Sequence, residues 1–166
     1  AADLEKMLAA DVASIPKDES EGRTANYFAS IGVDDEIVQI FREESASYFR
    51  LIRHALDSVK SNTAGVTVMR DIEKAANSLR SSAKMLGFVK IADLVRPLEA
   101  LAERHNKAPF DLTPEAMAAL DGVVSKLESL LRGQDVDTSG ETAALNAVVE
   151  SITETLKTSG ATRVDG

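Results

Sequence analysis

Cysteine and tryptophan are both missing from the 166-residue sequence. Without cysteine, disulfides, thiol nucleophiles and thiolate metal sites are excluded. Aromatic residues amount to 4% against an apolar fraction of 44%. The core therefore has to come from Leu, Val, Ile and Ala, a composition suited to packed helices. Cations are in deficit as well: 19 Lys and Arg against 27 Asp and Glu leave a formal charge of −8. That balance argues against nucleic-acid binding, which needs cations to displace phosphate counterions, and against docking on anionic lipid. No apolar run approaches the roughly 18–20 residues of a membrane span, and no signal-peptide core is visible at the start. The length suggests one domain, or one domain with an appended element. A start at Ala1-Ala2-Asp3 without a Met reads as a cut from something longer. The expectation is a cytoplasmic fragment, monomeric and without membrane insertion.

What is present is helix-forming pattern. Residues 1–15 carry a short amphipathic stretch (Leu4, Met7, Leu8) behind Asp3 and ended by Pro16. Lys17 to Ala29 is polar, acidic and contains glycine, which reads as a loop or loose linker. From Asp34 or Asp35 the residues Val38, Phe41, Ser45, Tyr48, Ile52, Ala55 and Val59 alternate spacings of three and four, a heptad-like seam on one long helix. Ser61 to Gly65 is a turn. A second helix from about Val66 to Leu86 buries Val68, Ile72, Ala76, Leu79, Ala83 and Leu86, and Gly87 stands where a left-handed cap is expected. A third, from about Val89 to His105, turns Ile91, Leu94, Val95, Leu98, Leu101 and Ala102 inward, with Pro97 predicted to kink it. Thr113-Pro114-Glu115 opens a fourth helix bearing Met117, Leu120, Val124, Leu127 and Leu131 and stopped by Gly133. Ser139 can cap a fifth, with Leu145, Val149, Ile152 and Leu156, ending at Gly160.

There is no strand pattern and no internal repeat. The pattern predicts an all-α protein, an antiparallel four-helix bundle with an additional C-terminal helix and a short N-terminal extension. Its divisions are 1–32 for the extension, 33–133 for the bundle, 134–160 for the fifth helix and 161–166 for a disordered tail.

The chemistry such a bundle could carry narrows quickly. Di-metal carboxylate bundles need Glu-x-x-His pairs, but the only histidines, His54 and His105, follow Leu51 and Ala102 by three positions. No metal or other cofactor is expected, and haem ligation is disfavoured because neither histidine lies on a buried face. A Walker-type phosphate loop and a G-x-S-x-G nucleophile elbow are both missing. No catalytic activity is expected of this chain alone, though it could be a fragment of a histidine kinase. His54 reads as a surface residue and His105 as a cation near a helix C-terminus.

One constellation stands out, on the outward face of the second helix. Asn77-Ser78-Leu79-Arg80-Ser81-Ser82-Ala83-Lys84-Met85-Leu86-Gly87 resembles the phosphorylation motif of histidine-phosphotransfer (HPt) domains, His-x-Leu-Lys-Gly/Ser-Ser-Ala-x-x-Leu-Gly, over eleven positions. The helix order from Asp34 to Gly133 is similar to that family, most closely to the HPt domain that opens chemotaxis-type histidine kinases, which also has a fifth helix. On the next helix, Leu94-Val95-Arg96-Pro97-Leu98-Glu99 occupies the place of a second family signature, Leu-x-His-x-Leu-Glu. Glu99, twenty-two residues beyond Asn77, stands where the family's glutamate hydrogen-bonds the phospho-accepting histidine.

Asn77 replaces that histidine. An imidazole nitrogen attacks through a free lone pair, whereas an amide lone pair is delocalised into its carbonyl and forms no stable phosphoramidate. The resemblance therefore implies a module of two-component or chemotaxis-like phosphorelay signalling that does not carry phosphate as written. It is either a natural pseudo-HPt or an engineered, phosphorylation-dead form of an active domain. Arg80 keeps the positive charge usually supplied by lysine, Ser81 stands for glycine, and Arg96 stands where a second histidine is frequent. Arg70, Lys74, Asn77, Arg80, Ser81 and Lys84 recur at helical spacing and form one stripe. Taken alone such a stripe is a solvated face. With the motif it reads as a docking surface for a response-regulator receiver domain, a histidine-kinase catalytic domain, or both. The competing reading is a helical interaction or oligomerisation module unrelated to phosphorelay, in which the stripe would be buried between copies.

Overall fold

The computed structural model describes residues 26–63, 65 and 67–165, with side chains as far as Thr155. The amphipathic stretch expected within residues 1–15 lies outside the described residues. Five α-helices follow a single 3-10 turn at Ala29–Ile31: α1 (Asp35–Lys60), α2 (Val68–Leu86), α3 (Val89–Lys107), α4 (Pro114–Leu131) and α5 (Ser139–Asp165). There are no strands among the described residues, only an isolated bridge between Asn26 and Gln134. The protein is an all-α helical bundle with an additional helix. No helix among the described residues is long and apolar enough to cross a membrane.

The helix ends follow local chemistry. Asp34 caps α1 by accepting the Glu36 N–H at 3.1 Å, and Thr113 caps α4 by accepting the Ala116 N–H at 3.1 Å, with Pro114 just inside. Gly87 closes α2 at φ 85°, and the N–H of Phe88 returns to the Ala83 carbonyl at 2.8 Å, a Schellman ending that turns the chain directly into α3. Ser139 is not the cap of α5 but its first residue. The Asp137 carboxylate takes that role by accepting both the N–H and the hydroxyl of Ser139, contacts that hold its pKa below the ordinary aspartate value.

Pairs between helices give their directions. Arg53 meets Glu128 at 3.4 Å and Lys60 meets Asp121 at 2.5 Å, so α1 and α4 are antiparallel. Asn77 with Glu99, and Glu73 with Asn106, set α2 antiparallel to α3. The extra helix α5 runs parallel to α3, since Lys90 reaches the Val136 carbonyl and Arg104 reaches Thr153. The core between them is aliphatic: Ile52, Leu79, Ile91, Leu94, Leu98, Leu101, Leu120 and Leu127 are fully buried. Burial of side chains of this size is the main favourable term holding such a fold.

Four further expectations need correction. The heptad seam placed Tyr48 inside, but Tyr48 is half-buried and its neighbour Phe49 is buried, because an α-helix drifts against a strict seven-residue repeat. The pattern also reads Pro97 as an interruption, but α3 is unbroken from Val89 to Lys107 with Pro97 buried inside it. Gly160 does not stop α5, which runs on to Asp165, so the segment from 161 to 165 is helical and not a disordered tail. Glycine inside a helix costs only about 1 kcal/mol relative to alanine.

The fourth correction is the largest. Asn26–Phe28, within the presumed loose linker, is packed on the bundle. Tyr27 and Phe28 are 4% and 3% exposed and join Phe41 and Phe88 in an aromatic cluster with centroid separations of 4.8–6.2 Å. The Tyr27 N–H donates to the Gly133 carbonyl at 2.8 Å, and its hydroxyl accepts from the Lys90 N–H at 3.1 Å. Burial pushes the Tyr27 phenol above its ordinary pKa despite those donors. Arg42, also buried, donates to the Leu131 carbonyl at 3.1 Å and lies over the Phe28 ring, placing a cation at the C-terminus of α4.

Candidate functional site

Helix α2 keeps Ile72, Ala76, Leu79 and Ala83 in the core, and that burial fixes which residues face out. Arg70, Lys74, Asn77, Ser81 and Lys84 are exposed, with Arg80 half-buried at the edge next to α3. The tight Gly87 turn brings α3 back alongside. Leu94, Val95 and Leu98 point inward there, leaving Arg96 exposed and Glu99 half-buried against α2.

Glu99 is where the two helices meet chemically. Asn77 Nδ2 donates to Glu99 Oε2 at 2.8 Å. Arg80 Nε donates to Glu99 Oε1, and Arg80 Nη2 approaches Oε2 at 3.4 Å. The carboxylate thus accepts from the amide and the guanidinium together, in a pocket where the Arg80 and Glu99 side chains retain only 24% and 17% exposure. Burial pulls the Glu99 pKa upward. The hydrogen bonds from Arg80 and Asn77, with the charges of Arg80 and Arg96, more than offset it and hold the carboxyl below its ordinary value. Arg80 is raised correspondingly, chiefly by its hydrogen bond to Glu99. Arg96 itself reaches Asp93 at 3.9 Å.

Of the residues singled out in the sequence, the structure therefore brings Asn77, Arg80 and Glu99 into one network. Ser81 and Lys84 lie along the same face, and Arg96 stands across from them. Arg70 and Lys74 are exposed nearer the start of α2. Neither histidine is there: His54 is exposed on α1, and His105 stacks edge-on against Phe110 with centroids 4.9 Å apart. Among the described residues, no group of three or more His, Asp or Glu side chains is placed to hold a metal ion.

Sequence reasoning missed two residues of this face. Met85 and Val89 are 84% and 60% exposed, the highest values among the large hydrophobic residues described. The signal was in the register: Met85 falls outside the series Leu79, Ala83 and Leu86, and Val89 outside the series Leu94, Leu98 and Leu101. It also missed a second tie between α2 and α3, where Asn106 donates to Glu73 at 2.7 Å.

Chemically the arrangement is donor-rich and lacks a nucleophile. An amide and a guanidinium converge on the Glu99 carboxylate, and a hydroxyl and an ammonium follow along the same exposed face of α2. Comparison with protein families matches residues 36–158 to the family described as Hpt domain, a span that includes α1 to α4 and most of α5. No curated protein and no solved structure matches the chain.

Proposed function

The chain belongs to the Hpt domain family, and on that premise we propose that it works as an HPt-type module of two-component or chemotaxis-like phosphorelay signalling that docks a partner without accepting a phosphoryl group. Position 77 is where the family's phospho-accepting histidine falls, and the amide there cannot take its role. The carboxylate of Glu99 and the cation of Arg80 beside Asn77, with the small Ser81 one turn on, support that reading.

The observation that carries this reading is the convergence of Asn77 and Arg80 on Glu99 at the open face of α2 and α3. The family's glutamate orients a histidine by accepting a ring N–H. Here the same oxygen accepts the Asn77 amide instead. Lys74 and Lys84 flank the site without a carboxylate in ion-pair range among the described residues, which suits the acidic pocket of a response-regulator receiver domain. The catalytic domain of a histidine kinase is the other expected partner. The extra helix α5 favours kinship with the HPt domain that opens chemotaxis-type kinases. In this reading the module acts in the cytoplasm.

A helical oligomerisation module would bury this stripe between copies. In a symmetric seam Arg70, Lys74 and Lys84 would face the same cations of a second copy, and that like-charge cost favours docking on an acidic partner instead. The test is phosphotransfer and binding measured side by side. A receiver domain should bind the chain saturably, while neither a phosphorylated receiver nor a kinase with radiolabelled ATP should label it. Acid-labile label on the chain, or the lack of binding to any receiver or kinase domain, would overturn the proposal.

A further inference from the structure

The exposed face of α2 and α3 is uneven along its length. At the end near the start of α2 it presents Arg70 and Lys74, but no exposed large hydrophobic residue among those described on α2 and α3. At the other end, around the Gly87 turn, stand Met85 and Val89, 84% and 60% exposed. Lys84 precedes Met85, and Arg96 lies two turns beyond Val89 on the same side of α3. The Schellman ending at Gly87 sets the backbone path of this turn, so the two residues are carried either side of it.

Large apolar side chains that solvate freely beside charged groups, here Lys84 next to Met85 and Arg96 with its partner Asp93 beyond Val89, have the composition of an interface centre with a polar rim. Methionine suits such a centre because its flexible, polarisable side chain adapts to a partner's surface. Met85 lies about 12 Å along the helix from Asn77, within one partner's footprint.

We infer that the receiver docking proposed above is centred on the α2–α3 turn. Met85 and Val89 enter an apolar depression of the partner, and Lys84 and Arg96 face its acidic rim. Arg70 and Lys74 steer the approach and stay uncovered. The partner surface is therefore an apolar patch edged by carboxylates. Apolar anchors hold a complex together and act on its dissociation rate, whereas uncovered charges act on association and are screened by salt.

The test uses a purified receiver domain that binds the unmodified chain, with rates read by surface plasmon resonance. Met85→Glu and Val89→Glu should each raise the dissociation rate about tenfold or more, the level expected for central contacts. Lys74→Glu and Arg70→Glu should slow association by about threefold or less, an effect that disappears near 0.5 M salt. Both apolar positions are exposed, so all four variants should keep the circular dichroism of the parent. If Met85→Glu and Val89→Glu leave dissociation unchanged while Lys74→Glu speeds it, the footprint lies at the opposite end and the inference fails, with the docking reading intact. If the unmodified chain binds no receiver domain, the docking reading fails and the footprint with it.

Discussion

Arg80 and Glu99 form a two-point ion pair across the α2–α3 interface, and Asn77 donates to the same carboxylate. The contact lies at the edge of the bundle, and its partial exposure limits what it adds. Replacing Glu99 by Gln should lower stability by about 1 kcal/mol or less, as for other pairs near the surface. The effect should depend on pH with a definite sign. The folded Glu99 carboxyl titrates below its ordinary value, so its contribution is fully present above the unfolded carboxylate pKa and is lost as pH falls through the folded one. The difference in urea midpoint between parent and Glu99→Gln should shrink progressively as the pH is taken from neutrality into the acid range. A difference that persisted undiminished in acid would show that the charge is not its source.

Core and site should separate cleanly by truncation. Leu98 is 1% exposed, and Leu98→Ala should cost about 2–5 kcal/mol through lost burial and the cavity left behind. Asn77→Ala should cost about 1 kcal/mol or less, because it removes one hydrogen bond on an open face. Denaturant unfolding of the two variants decides the matter. Similar losses would contradict the assignment of Asn77 to the solvent side.

Asn77→His should restore a phospho-acceptor. The new imidazole can donate from Nδ1 to Glu99, leaving Nε2 free to attack, as carboxylates orient histidines elsewhere. Arg80 stands one turn away to meet the incoming phosphoryl oxygens. Given a cognate kinase or phosphorylated receiver, the variant should gain acid-labile, base-stable label, with an unchanged circular dichroism spectrum. A folded variant that stays unlabelled by a donor active on another HPt domain would show that the site has lost more than its nucleophile. Label at His54 or His105 in the parent would move the acceptor elsewhere.

The aromatic strap should matter more than its position suggests. Phe28→Ala should cost about 3–5 kcal/mol, as for other fully buried phenylalanines. Tyr27→Phe keeps the ring but removes the acceptor for the Lys90 and Ile91 N–H groups, at about 1 kcal/mol. Thermal unfolding of both variants gives the comparison. A neutral Phe28→Ala would mean that the segment is not part of the folded unit.

Much of this architecture was legible in residue order. Ile72, Ala76, Leu79 and Ala83 recur at helical spacing and are buried, and Gly87 stands at the end it was expected to form. The pairing of Asn77 with Glu99 followed from two linked motifs on adjacent helices. Tyr27 and Phe28 were hidden because their neighbours are polar and their partners, Phe41, Phe88 and Gly133, are distant in sequence. Local pattern carries no such information. Met85 and Val89 were overlooked for a different reason: apolarity is read as burial, although their register already set them outside the buried series of α2 and α3.

The strap has a mechanical consequence. Chain arriving from residue 25 is pinned at Asn26 and Tyr27 to the end of α4 and the start of α3 before it can reach α1. A pull from that side would load these few hydrogen bonds and the ring of Phe28 first, peeling them in sequence. Because the Tyr27 hydroxyl holds the first N–H groups of α3 and Phe28 packs on Phe88 at the Gly87 turn, that load would reach the helix bearing Glu99 while the anchor still held. A pull at Asn26 would therefore be felt first by the α2–α3 hairpin and the end of α4, and α1 would carry it only after two aromatic rings had been extracted.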